Sequence, residues 1–89
     1  MQAISIQRDT TKNTWYAAKC MGALGIDVRH GEPARRAEDV LKALKREYAG
    51  YQDPEMSTVV VWVNGQRTRN IGEAFELARR ADRMFGEAA

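Results

Sequence analysis

Over residues 59–69, Val59-Val60-Val61-Trp62-Val63-Asn64-Gly65-Gln66-Arg67-Thr68-Arg69, a run of five apolar residues passes into a polar run through an Asn-Gly pair. A two-residue type I′ turn needs positive φ at both central positions, which Asn tolerates and Gly adopts freely. The pattern therefore predicts a β-hairpin turning at Asn64-Gly65. Its register follows: Val63 faces Gln66, Trp62 faces Arg67, Val61 faces Thr68 and Val60 faces Arg69. Successive side chains point to opposite sides of a strand, so Val59, Val61, Val63, Gln66 and Thr68 share one face and Val60, Trp62, Arg67 and Arg69 the other. The valine face is the expected core face. On the second face an arginine can lie over the indole, unless a helix of the same chain covers Trp62.

Residues 3–8 alternate between apolar and polar positions, with Ile4 and Ile6 on one side and Ser5 and Gln7 on the other, and read as a half-buried strand. Asp9-Thr10-Thr11-Lys12-Asn13 breaks it. Residues 14–25 fit a strand returning through that turn, or a helix stopped at Gly25. Trp15 and Tyr16 favour the strand. Over residues 33–49 the period changes to that of a helix: Ala37, Val40, Leu41, Leu44 and Tyr48 form a stripe, Pro33 suits a first turn, and Arg35, Lys42, Lys45 and Arg46 lie on the other side. Gly50 can end this helix, and residues 51–55 make a polar connection. Asn70 followed by Glu73 has the spacing of a capping box. It opens a last helix with the stripe Ala74, Leu77, Ala78, Ala81 and Phe85, margins Phe75 and Met84, and a polar side of Glu76, Arg79, Arg80, Asp82 and Arg83. Glu76 and Arg80 form a favourable i,i+4 pair.

These elements predict a single α+β domain over residues 1–89. A small antiparallel sheet of roughly three to five strands, including the Asn64-Gly65 hairpin, carries two amphipathic helices packed on one face. With 89 residues, 44% hydrophobic and 29% charged, the chain suits one modest globular core and leaves no room for a second domain. Fourteen Lys and Arg against twelve Asp and Glu give a net charge of +2, too weak a global field to imply nucleic-acid binding by itself. Ten of the fourteen basic residues are arginine, which suits planar contacts to carboxylate or phosphate. The N-terminus lacks a signal-peptide pattern and no apolar run reaches membrane-spanning length, so a cytoplasmic protein without a membrane partner is expected.

Candidate chemistry is sparse. Cys20 is the only cysteine and His30 the only histidine, so neither a disulfide nor a cysteine-based metal site is expected, and no cofactor. A Cys20–His30 nucleophilic pair is conceivable in principle, but no activating pattern surrounds either residue. The expected roles are a core position for Cys20 and a loop position for His30 beside Gly31. No carboxylate pair stands out, and catalytic residues are not assigned. Gly22-Ala23-Leu24-Gly25 resembles the GXXG loop of KH domains, with residues 59–85 similar to their closing β-β-α portion. Ala23 and Leu24 stand where that loop carries a basic residue, however, and the long helix after Pro33 departs from the KH pattern. Gly31 and Pro33 likewise exclude a helix-turn-helix over residues 15–36.

The remaining signal is the combination of an indole with basic clusters. Trp62, Arg67 and Arg69 on the hairpin, with Arg79, Arg80 and Arg83 on the last helix, are the candidate partner-binding residues. The expected function is a noncatalytic protein-binding module: a small inhibitor, adaptor or regulatory accessory protein with the profile of phage and mobile-element accessory proteins. It would bind a protein partner or associate with itself. The alternative is a small RNA- or DNA-binding protein that stacks a base on Trp62 and holds phosphates with Arg67 and Arg69.

Overall fold

The computed structural model describes residues 3–21, 26–50 and 60–85. In chain order they form β1 (Ala3–Asp9), β2 (Thr14–Met21), β3 (Ile26–Ala34), α1 (Ala37–Gly50), β4 (Val60–Val63), β5 (Gln66–Arg67) and α2 (Ile71–Phe85). The fold is α+β, as its periodicities predict. One sheet of five strands in the order β3-β2-β1-β4-β5 carries both helices on one face.

The first three strands are an antiparallel meander. The Asp9 carboxylate fastens its first turn by accepting the Thr11 and Lys12 amides at 3.1 and 3.2 Å, and Asn13 takes positive φ (56°). Segment 14–21 is thus a strand; the rest of the ambiguous stretch, residues 22–25, lies outside the described residues and takes the GXXG-like loop with it. Residue 59 and the predicted connection at 51–55 also lie outside them, as do the side chains of Cys20 and Tyr48.

Two expectations fail at β3. Pro33 was expected to open the middle helix and His30 to sit in a loop, but both belong to this strand. The reason is an irregularity opposite Tyr16: Trp15 pairs with Ala34 and Ala17 with His30, so three residues of β3 oppose one of β2. Gly31 takes φ of 77° there, and Pro33, which cannot donate to a ladder, is accommodated at a bulge on an edge strand. Arg35 falls in the bend before α1 and not on the helix.

α1 starts at Ala37 because its first amides find a partner far along the chain. The Asp82 carboxylate on α2 accepts the Ala37 N–H at 2.7 Å and the Glu38 N–H at 3.1 Å. Asp82 was placed on the polar side of α2. It is instead only 6% exposed, since capping a helix N-terminus satisfies a carboxylate without water. At the start of α2, Asn70 caps as its sequence predicts, with Oδ1 accepting the Glu73 N–H at 2.9 Å.

The crossover through α1 carries the chain from β3, past β2 and β1, to the far side of β1. β3 runs parallel to β1, and β4 arrives in the same direction. The sheet is therefore mostly antiparallel with one parallel pair, Ala3↔Val60 through Ile6↔Val63. The hairpin register is as predicted at Trp62↔Arg67 and Val63↔Gln66. β5 stops at Arg67, and Thr68 continues the register by donating both its amide (2.9 Å) and its Oγ1 hydroxyl (2.7 Å) to the Val61 carbonyl.

The core lies between sheet and helices. Ile4, Ile6, Trp15, Ala17, Val61 and Val63 from the sheet meet Ala37, Val40, Leu41 and Leu44 of α1 and Ala74, Ala78 and Ala81 of α2. Burying each of the large aliphatic side chains contributes about 1.5–3 kcal/mol. The alanine stripe of α2 lets it approach closely. Leu77 is only partly buried, and Phe85 lies at the margin, edge-on to Trp15 with ring centroids 5.8 Å apart.

Candidate functional site

Both helices cover the face that carries Ile4 and Ile6, and among the described residues the opposite face of the sheet carries no helical layer. Strand registers place Arg29, Ala18, Ser5, Trp62 and Arg67 in one row across that open face, each directly beside the next on β3, β2, β1, β4 and β5. Trp62 is 37% exposed and no helix among the described residues covers it, whereas Trp15 on the helix face is 2% exposed.

The row divides into two unlike halves. On β2 and β3, the Arg29 guanidinium lies over the Tyr16 ring at 4.1 Å and pairs with Asp9 at 3.2 Å, while the Tyr16 hydroxyl donates to Gln7 Oε1 at 2.9 Å. Ala18, although it points to this face, is 1% exposed and must be covered by the side chains around it. Amides of the turn and the Arg29 cation stabilise the charged form of Asp9, the Lys12 amide most, and hold its carboxyl below the usual range. This half is internally satisfied and polar.

The half on β4 and β5 is not. Among the described residues, Trp62 and Arg67 have no ring contact, ion pair or side-chain hydrogen bond, and Val60 on the same face is partly exposed. The expected arginine-on-indole contact does not form; the arginine-on-ring contact of the open face is that of Arg29 with Tyr16.

The six predicted binding residues do not form one site. Arg69 turns from the hairpin to Glu73 in the first turn of α2, with Nε 3.3 Å from Oε2. Arg79, Arg80 and Arg83 are on α2, behind the sheet from Trp62. Arg79 pairs with Glu38 at 3.4 Å and Arg80 with Glu76 at 2.9 Å. Trp62 and Arg67 alone remain together. Tyr16 and Arg29 were missed, and the alternation of 14–18 held the signal, since a strand there sets Tyr16 and Ala18 opposite Trp15 and Ala17.

His30 Nε2 lies 2.8 and 2.9 Å from the two Glu47 oxygens and ties β3 to α1. Among the described residues no cluster of three His, Cys, Asp or Glu side chains could hold a metal, and no helix is long and apolar enough to cross a membrane. No family model, no curated protein and no solved structure matches this chain.

Proposed function

We propose that this chain is a noncatalytic protein-binding module, a small inhibitor, adaptor or regulatory accessory protein, working through the β4–β5 half of its open sheet face in a reducing cytoplasm. The observation that carries the reading is Trp62, an exposed indole beside Arg67, neither of which has a partner among the described residues. Trp and Arg are the residues on which binding energy concentrates at protein interfaces. A partner that covers them gains apolar burial and a charge-assisted contact. The compartment suits a chain with one cysteine.

A photo-cross-linking residue at position 62, used in the natural host and read by mass spectrometry, tests this. A discrete partner, or a second copy of the chain, should be captured and should be lost in Arg67→Glu while surviving in Arg80→Glu. A monomer that captures nothing, or a partner indifferent to Arg67, would overturn the reading.

A second reading, single-stranded nucleic acid at the same face, is favoured by the same cation and ring, both unpartnered among the described residues. It has less support because Tyr16, the other aromatic of this face, already has Arg29 on its ring, leaving Trp62 as the one open stacking surface among the described residues. Salt-sensitive quenching of Trp62 fluorescence by a mixed oligonucleotide, absent in Arg67→Glu, would favour it over a protein partner.

A further inference from the structure

The helix layer carries its own concentration of charge, on the side of the molecule away from Trp62. α1 and α2 pack antiparallel: Asp82 meets the first turn of α1, Arg79 sits beside Glu38, and Phe75 lies level with Lys45. Glu38, Lys42 and Lys45 are spaced by four and three, which puts them on one flank of α1, the flank that meets Phe75 and Arg79.

One carboxylate serves several cations there. Glu38 takes Lys42 Nζ at 3.1 Å and Arg79 Nε at 3.4 Å. The hydrogen bond from Lys42, then the charges of Lys42, Arg79 and Arg36, hold its carboxyl below the ordinary value. Lys45 has no carboxylate partner among the described residues; its ammonium and the Arg79 guanidinium lie 5.8 and 5.7 Å from the Phe75 ring centre. Lys42 and Arg79 each keep 54% of their side-chain surface in water. A chain of small net charge thus concentrates an excess of cations along one seam.

We propose that the α1–α2 seam docks the phosphate backbone of a nucleic-acid duplex, independently of the sheet face. From Glu38 to Lys45 the seam runs roughly 10 Å at 1.5 Å per residue, and the two helix axes add about 8–10 Å across it. The strand of a duplex that faces the seam presents about one phosphate per 3.4 Å of axis, so about three phosphates fall along that patch. Long, half-exposed cationic side chains suit backbone contact and carry no base readout. An acidic peptide fits less well: Phe75, the aromatic group of the seam, already lies under two cations, which leaves no apolar anchor for a side chain.

The test is the affinity of a labelled mixed-sequence DNA duplex for the whole chain by fluorescence anisotropy across a salt series. For three phosphate contacts the slope of log K against log salt should lie near about −2.7, which weakens binding about 40-fold between about 50 and 200 mM. The double variant Lys42→Gln, Lys45→Gln should reduce that slope by about 1.8. Glu38→Gln, with its fold checked by circular dichroism, should tighten binding several-fold by releasing Lys42 and Arg79, and Trp62→Ala should leave binding unchanged. No binding at low salt, Glu38→Gln without a gain, loss of binding in Trp62→Ala, or preference for a Glu-rich peptide over the duplex would each overturn the proposal. Apart from loss of binding in Trp62→Ala, which would move the nucleic-acid contact to the sheet face, none of these results bears on whether Trp62 has a protein partner.

Discussion

At the scale of single residues, Asp82 does more for the fold than its letter suggests. It sits four positions after Ala78 and so falls within the apolar stripe of α2, but a carboxylate there reads as the polar side because its partners are 44 and 45 residues away along the chain. Periodicity reports which side a residue lies on and nothing of what waits there. Asp82→Ala leaves the Ala37 and Glu38 amides without their acceptor near the core. It should cost about 1–3 kcal/mol in urea unfolding, while Asp82→Asn, which keeps one acceptor oxygen, should cost less. Equal losses in the two variants would mean that the carboxylate charge at the helix terminus matters more than the hydrogen bonds.

At the scale of elements, what was legible was local. The hairpin register was readable because both strands and the turn lie within a dozen residues, and Asn64 and Gly65 take positive φ of 51° and 83° as the turn requires. β3 was not legible, because Pro33 is tolerated only through a bulge against β2 and that pairing lies outside any local window. For the candidate site the same division holds: Trp62 and Arg67 were placed correctly by the hairpin, whereas the separation of Arg79, Arg80 and Arg83 from them depended on which sheet face α2 covers. Gly31 in the β3 bulge and Gly65 in the hairpin turn allow a direct check of these two positive-φ positions. A Cβ at either would meet nothing within 4 Å, so any loss in Gly→Ala comes from positive φ alone. Each substitution should cost about 1–2 kcal/mol by thermal or urea unfolding. A neutral Gly31→Ala would show that the β3 bulge relaxes to another backbone shape. Thr68→Val tests the hairpin's far end: the amide bond to the Val61 carbonyl survives and the hydroxyl bond is lost, for about 0.5–1.5 kcal/mol.

At the scale of the whole molecule, two carboxylates join separate parts of the structure, and both are held below their ordinary values. Asp9 links the β1–β2 turn to Arg29 on β3, and Glu38 links α1 to Arg79 on α2. A depressed folded-state value means that the charged form is favoured by folding. The stability this supplies is complete above the ordinary carboxylate range and is lost as pH falls through the depressed values. Stability should therefore hold level near neutrality and fall below about pH 4. A second acid effect has a different origin: as the twelve Asp and Glu become neutral, fourteen Lys and Arg repel one another without opposition. Salt separates the two, because long-range repulsion is screened beyond about 10 Å at 0.1 M while hydrogen bonds from the Thr11 and Lys12 amides to Asp9 are screened far less. Asp9→Asn combined with Glu38→Gln should lower stability at neutral pH and make the acid decline shallower at high salt, as measured by urea unfolding followed through the buried Trp15 in a Trp62→Phe background. An acid decline as steep as that of the parent chain in high salt would assign the pH dependence to general repulsion and leave Asp9 and Glu38 without a role in it.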